Sequence, residues 1–112
     1  MEIDRASAAR WASWFRCLGD PSRVLLLNRL AVAARPMTVG ELVEVVDIGQ
    51  PTVSHHLKVL ADVGFVTCEP RGNASLYAVN HLCLDQFPSA AELIMGRLPR
   101  ADAHPTMRSA DA

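Results

Sequence analysis

Three cysteines are the residues of this 112-residue chain best suited to chemistry with a metal or metalloid. Cys17, Cys68 and Cys83 are odd in number and widely spaced, so we do not expect a disulfide scaffold. Thiolates are soft ligands that select soft ions, and three of them suit a trigonal ion. The alternative is that free cysteines are small buried apolar side chains, an interpretation that fits Cys68 best because it lies in a β-prone run.

Two histidines, His55 and His56, resemble a metal-binding pair because they are adjacent. Adjacent residues of a helix point about 100° apart and do not share a face. We therefore expect His55 to face outward and His56 to be partly packed. Asp102 and His104 could form a hard-metal site, but their segment is rich in Pro and Ala and is expected to be unstructured.

Composition and charge exclude several classes of protein. The chain has no nucleophile–base pair, phosphate-binding loop or carboxylate pair at a working spacing, which argues against a small enzyme. A net charge of −1 excludes a strongly basic, histone-like protein but permits DNA binding through a local patch. There is no apolar run of about 18 residues, and charged residues are scattered through the first 20. We therefore expect a cytoplasmic protein without a membrane span.

Helical patterns cover the first third of the chain. Residues 4–18 carry an apolar stripe at helical spacing, formed by Ala8, Trp11, Phe15 and Leu18. A second helix is predicted to begin with Asp20 as its N-cap and Pro21 as its first residue. Its apolar residues are Val24, Leu25, Leu27, Leu30 and Ala31. Arg35-Pro36 should close this helix because proline cannot continue the hydrogen-bond ladder.

A helix-turn-helix pattern follows. Thr38 and Glu41 have the spacing of a capping box before a short helix, 39–46, that should bury Leu42 and either Val45 or Val46. After the turn 47–49, an amphipathic helix over 51–63 ends at Gly64. Its apolar face consists of Val53, Leu57 and Leu60. Two short helices joined by a tight turn are typical of DNA-binding proteins.

A β-hairpin and a last helix complete the predicted fold. The β-prone runs 65–69 and 75–79 flank a turn at 70–74. The last helix runs from 81 to 98, and Pro88 either kinks it or makes it restart with Ser89 as an N-cap. The prediction is a mainly α winged helix-turn-helix in one domain, 1–98, followed by a disordered tail, 99–112. Helices 4–18 and 81–98 would expose apolar faces in a monomer, so we expect a symmetric dimer.

Several separated motifs resemble those of the ArsR/SmtB family of bacterial repressors, in the same order. They lie at residues 18–23, 41–42, 50–60, 64–66, 71–73 and 76–77. The resemblance implies a homodimeric repressor that binds double-stranded operator DNA without any cofactor. Such a repressor releases the operator when a metal or another inducer binds. A winged helix that only binds other proteins is the alternative from a different class.

The DNA-reading surface is predicted from helix 51–63 and the hairpin. Recognition helices contact base edges with their N-terminal residues. The residues expected near bases are Gln50, Thr52, Ser54 and His55, and those expected near phosphate or the minor groove are Lys58 and Arg71. Asp62 and Glu69 offset these two cations within 50–73. Affinity should therefore depend on dimerisation and on other arginines, with Arg23, Arg29 and Arg35 as candidates.

Two metal sites of the family lack ligands in this chain. The Glu-Leu-Cys-x-Cys arsenite pattern is replaced after Glu41-Leu42 by residues 43–45, which are Val, Glu and Val. In the last helix, His81 and Cys83 fall at the first ligand pair of the zinc, cobalt or nickel site. The second pair falls at Ile94 and Arg97, which cannot ligate a metal.

The effector prediction then depends on the thiols that remain. Cys17 ends the first helix and Cys83 begins the last, and in the fold that the resemblance implies these helices meet at the dimer interface. We therefore expect the two thiols to approach each other, within one protomer or between protomers, with Cys68 as a third candidate. Arsenite or antimonite is the favoured effector. Zinc or cadmium, bound by a low-pKa thiol pair together with His81, comes second. The alternative is a repressor without a metal site that senses redox state or an organic ligand.

Overall fold

The computed structural model describes residues 2–96 and has the predicted order of elements. The elements are α1 (Arg5–Cys17), α2 (Pro21–Ala33), α3 (Val39–Val45), α4 (Gln50–Val63), β1 (Val66–Arg71), β2 (Ala74–Val79) and α5 (His81–Ile94). This is the predicted winged helix-turn-helix, mainly helical with one antiparallel hairpin. The predicted tail, 99–112, lies outside the described residues. No helix within residues 2–96 is long and apolar enough to cross a membrane.

Side-chain caps start the helices where the sequence predicts. The Asp20 carboxylate accepts a hydrogen bond of 2.8 Å from the Ser22 N–H, with Pro21 as the first residue of α2. Thr38 and Glu41 form both halves of the capping box. The Thr38 hydroxyl accepts from the Glu41 N–H at 3.1 Å, and the Glu41 carboxylate accepts from the Thr38 N–H at 3.0 Å. These local bonds satisfy N–H groups that a helix start leaves unpaired.

α2 ends earlier than predicted, and α5 does not restart after Pro88. α2 stops at Ala33 because Ala34 adopts a left-handed backbone, with φ 56°, before Pro36 is reached. α5 continues through Pro88 to Ile94, so the predicted restart at Ser89 is wrong. A proline removes one helical hydrogen bond, and packing of the helix on both sides of it can offset that loss. Cys83 and Ala90, one on each side of Pro88, are both buried in the core.

The hairpin has a tighter turn than predicted. β1 and β2 pair from Val66 with Val79 to Arg71 with Ala74, which leaves a two-residue turn at 72–73. Gly72 has a positive φ of 62°, a conformation that glycine adopts without a steric penalty. The other edge of β2 is bonded to the segment before α3. Tyr77 and Met37 exchange two backbone hydrogen bonds, of 2.8 and 2.9 Å.

The core lies between α2, α3, α4 and the base of the hairpin. Its fully buried side chains are Leu26, Leu30, Leu42, Val53, Leu57, Leu60 and Phe65. The predicted apolar face of α4 is confirmed. The alternative at the end of α3 is settled as well, because Val46 is buried and Val45 is exposed.

The predicted apolar stripe of α1 is partly wrong as a description of the buried face. α1 buries Trp11, Trp14 and Cys17, whereas Ala8 and Phe15 are exposed. The predicted stripe and the buried set both recur at helical spacing. Trp11, Trp14 and Cys17 are the buried set because α1 packs against α4 and α5 through them. The Trp14 ring lies 6.1 Å from the Phe87 ring of α5.

Candidate DNA-binding face and thiol site

The N-terminal half of α4 presents polar side chains away from the core. The structure leaves Gln50, Thr52, His55 and Lys58 exposed and Ser54 half-buried. On the opposite face of α4, Val53, Leu57 and Leu60 are fully buried. The residues predicted to read bases are therefore all at least partly accessible to solvent. Lys58 lies one turn further along the helix.

The wing places Arg71 at its tip. Arg71 is the last residue of β1, beside the tight turn, and it is exposed. Cys68 lies on the same strand and pairs in register with Tyr77 of β2. The pKa of the Tyr77 hydroxyl is raised, first by burial and then by its hydrogen bond to Cys68 and by the Cys68 charge.

Cys68 is exposed, so the interpretation of this residue as a buried apolar side chain is wrong. The reason is that β1 is a wing strand with one buried residue, Val66, at its base. The side chains further along the strand are exposed because no other described element covers them.

The three arginines proposed as additional DNA contacts differ in their exposure and in their hydrogen-bond partners. The Arg23 side chain is 16% exposed and is engaged inside the protomer, so its proposed role as a surface contact is wrong. Arg35 is exposed and lies 3.4 Å from the Glu41 carboxylate. Arg29 donates a hydrogen bond to the neighbouring Asn28 side chain. Arg29 and Arg35 remain candidates for phosphate contacts.

The adjacent histidines separate as predicted. His55 is exposed, and His56 is buried, with 8% of its surface accessible. The Arg23 Nη1 lies 3.2 Å from the His56 Nδ1. Because an arginine guanidinium can only donate, the His56 Nδ1 is the acceptor in this hydrogen bond. His56 is therefore a structural partner of Arg23 and not half of a metal-binding pair.

Cys17 and Cys83 are buried thiols, 3% and 7% exposed. Burial raises the pKa of Cys17, and the charge and hydrogen bond of Arg23 oppose this rise. Burial also raises the pKa of Cys83, and the charge of Cys17 raises it further. The two thiols thus lie within electrostatic reach of each other in one protomer. The low-pKa pair expected from the sequence is wrong, because burial outweighs the effect of Arg23.

The side chains around the thiols supply few further ligands. Within residues 2–96, no three His, Cys, Asp or Glu side chains form a group that could hold a metal ion. This argues, within one protomer, against a three-thiolate site that includes Cys68 and against a site that adds His81 to the thiol pair. Cys83 lines an open cavity of about 580 Å³ between α1 and α5, together with Arg10, Trp14 and Gln86. A small solute could reach that thiol through this cavity.

The sequence did not reveal Trp14 as part of the site or the role of Arg23 inside the protomer. Trp14 forms the wall between the cavity and the core, but an apolar residue next to Phe15 could be assigned to either face of α1. Arg23 lies in the family motif at residues 18–23, but its partner His56 is 33 residues further along the chain. Spacing along one helix could not predict that contact.

Comparison with known proteins places the chain among bacterial regulators. The model of the arsR family of bacterial regulatory proteins matches residues 20–67. The arsenical resistance operon repressor of Staphylococcus xylosus is 35% identical over 79 residues, which are 70% of this chain and 74% of that protein. The regulator NmtR of Mycobacterium tuberculosis is 34% identical over 77 residues, 69% of this chain and 62% of that protein.

Solved structures of bacterial regulators are also similar to this chain. The repressor BigR from Xylella fastidiosa has a TM-score of 0.61 and 30% identity, covering 78% of this chain and 87% of that chain. The solution structure of apo-NmtR has a TM-score of 0.59 and 30% identity, covering 95% and 89%. A winged helix-turn-helix domain from Mycobacterium bovis, described as homodimeric, has a TM-score of 0.65 at 19% identity, which is a likeness of fold.

Proposed function

The chain belongs to the ArsR family of bacterial regulatory proteins, and on that premise we propose that it is a homodimeric repressor released from operator DNA by a thiophilic metalloid. The relatives are named as regulators and repressors, so the chain is a transcriptional regulator and not an enzyme. We propose that it acts in the cytoplasm, where operator DNA is accessible. The finer parts of this function are the DNA contacts, the dimer and the effector.

The observation that carries DNA binding is the division of α4 into a buried apolar face and an exposed polar face. The exposed face begins at the helix N-terminus, the part of a recognition helix that meets base edges. Gln50 can pair with adenine through its amide, and the hydroxyls of Thr52 and Ser54 can bond to either type of base. Arg71 on the wing tip would bind phosphate or the minor groove.

The dimer is supported by apolar surface on the two terminal helices. Exposed large apolar residues of α1 and α5 are Phe15, Leu82, Ile94 and Met95. Phe15 packs against Phe87 across the two helices, with ring centroids 5.2 Å apart, so α1 and α5 are in contact at Phe15. A second copy of the chain would remove this surface from water, and two-fold symmetry would present two recognition helices to two half-sites.

The favoured effector is arsenite or antimonite, bound by Cys17 and Cys83. Each thiol would replace one hydroxyl of the metalloid, which leaves as water, so two thiols form two sulfur–metalloid bonds and retain one hydroxyl. This chemistry needs two soft ligands, and Cys17 and Cys83 are the two buried thiols of residues 2–96. Structural zinc takes four ligands, and the absence of a third His, Cys, Asp or Glu within residues 2–96 of one protomer makes zinc or cadmium less suitable.

Binding of the protein to the DNA upstream of its own gene tests the proposed function. We expect a gel shift with this duplex at nanomolar protein and at a salt concentration where a random duplex of equal length stays free. Addition of arsenite should release the shifted duplex. No binding to either duplex would favour a winged helix that only binds other proteins, and equal binding to both would contradict an operator-specific repressor.

Lys58→Ala should weaken binding to every duplex alike. Each phosphate contact contributes about 0.9 to the slope of log affinity against log salt, so loss of Lys58 from both protomers should reduce the slope by about 1.8. Fluorescence anisotropy over a salt series measures this change. Lys58→Arg preserves the charge and should restore the slope. A changed order of preference among operator variants in Lys58→Ala would mean that Lys58 reads bases.

A further inference from the structure

The Arg23 side chain connects three helices at one point. Arg23 belongs to the first turn of α2, and its Nε donates a hydrogen bond of 2.6 Å to the carbonyl oxygen of Cys17, the last residue of α1. Its Nη1 donates to the His56 Nδ1 on α4 at 3.2 Å. One rigid guanidinium therefore fixes the end of α1 and the middle of α4 relative to each other.

Both contacts are shielded from solvent. The Arg23 side chain is 16% exposed and His56 is 8% exposed. Hydrogen bonds with a charged donor are stronger than neutral ones, and a buried partner left unpaired is unfavourable. Asp20 is the nearest acidic partner, with its carboxylate 3.9 Å from the Arg23 Nη1. The hydrogen bonds to Cys17 and His56 are shorter and therefore dominate the position of the guanidinium.

His56 follows directly after the exposed part of α4. His55 precedes it on the DNA-reading face, and Leu57 follows it in the core. Leu57 and the other apolar residues of α4 set how deeply the helix is buried, but apolar contacts are not directional. The bond between Arg23 and His56 is directional, so it restricts rotation of α4 about its own axis. Such a rotation would displace the side chains that meet base edges.

We propose that Arg23 and His56 are positioning residues that set the orientation of α4 for sequence-specific DNA binding. They do this by holding α4 to the C-terminal end of α1, and neither needs to touch DNA. The inference rests on the proposed function to the extent that α4 reads DNA. It adds two residues that act from inside the protomer and makes no use of an effector.

Paired variants of His56 test this role. His56→Asn keeps an acceptor oxygen near the position of Nδ1, whereas His56→Leu fills a similar volume without an acceptor. We expect His56→Leu to lose about tenfold in affinity for the upstream duplex, equivalent to about 1.4 kcal/mol. Binding to a random duplex should change less than twofold, because phosphate contacts tolerate a rotated helix. His56→Asn should bind the upstream duplex within threefold of wild type.

Arginine variants and a stability measurement complete the experiment. Arg23→Lys should lose operator affinity like His56→Leu, because an ammonium cannot reproduce the guanidinium fork. Arg5→Lys, at an exposed residue of α1 that has no part in the proposed DNA contacts, is the matched control and should bind normally. Active protein is counted by stoichiometric titration and thermal unfolding is recorded, so that unfolding is not mistaken for weak binding.

The outcomes separate this inference from the proposed function. Wild-type binding together with a His56→Leu affinity within twofold of wild type would overturn the inference alone. Equal losses on the upstream and random duplexes, or equal losses in His56→Leu and His56→Asn, would also overturn it. Failure of the wild type to bind the upstream duplex would overturn both.

Discussion

Replacing Leu93 by Asp should convert the proposed dimer to monomers and lower operator affinity by about 100-fold or more. Leu93 is half-buried on α5 against the core and lines a cavity with Trp11 and Trp14 of α1. In a symmetric interface the substitution would bury two carboxylates without partners, at a cost of several kcal/mol. Sedimentation equilibrium measures the mass, and fluorescence anisotropy measures the loss of two-site binding.

Two further variants distinguish dissociation of the dimer from loss of folding and from a general effect of a surface charge. Ile94→Asp affects the same helix at a side chain that is 46% exposed in the protomer, so it should dissociate the dimer with less effect on folding. Val32→Asp on α2, at a side chain that is 74% exposed, is the control and should remain dimeric. A Leu93→Asp protein that stays dimeric, or a Val32→Asp protein that dissociates, would place the interface elsewhere. Phe15 of α1, which is 42% exposed in the protomer, would then not belong to the interface.

Arsenite should reduce operator affinity by about 5- to 150-fold, the range of a typical allosteric coupling of about 1–3 kcal/mol. Joining Cys17 to Cys83 through the metalloid would fix the end of α1 to the first turn of α5. Because these are the helices proposed to form the dimer, their new relation would change the distance between the two recognition helices. A dimer matches half-sites one helical turn of DNA apart, so a changed spacing weakens binding.

Single cysteine variants show which thiols carry the response. Cys17→Ser and Cys83→Ser should bind operator but ignore arsenite, whereas Cys68→Ser should respond like wild type. Cys68 is the matched control because it is an exposed thiol on the wing, away from the buried pair. Normal release in all three variants would contradict the thiol site. Indifference of the wild type to arsenite, antimonite, cadmium and zinc would favour a redox or organic effector.

The sequence predicted those parts of the fold that local bonds determine. The capping box of Thr38 and Glu41, the start of α2 and the end of α4 at Gly64 depend on residues a few positions apart. The buried face of α1 was not predicted correctly, and the choice between a continuous and a restarted α5 at Pro88 stayed open, because each depends on packing between helices. Periodicity identifies a helix, but it does not decide between two overlapping apolar stripes.

In the candidate site, too, the sequence predicted what local geometry determines and did not predict contacts between elements. His55 and His56 were assigned to different faces because adjacent residues of a helix must diverge, and the structure confirms that assignment. The partner of His56 and the exposure of Cys68 were not predictable from spacing. The first depends on a contact between α2 and α4, and the second on how far the wing extends beyond the core.

The pairing of Met37 with Tyr77 has a consequence for the dynamics of the wing. β2 is hydrogen bonded on both edges, to β1 on one side and to Met37 on the other. The base of the hairpin should therefore open to solvent deuterium only when the helix-turn-helix opens with it, as one cooperative unit. Because the base is anchored, the position of the hairpin tip that carries Arg71 is restricted. A contact between Arg71 and DNA would then lose less conformational entropy than the contact of a free arm would lose.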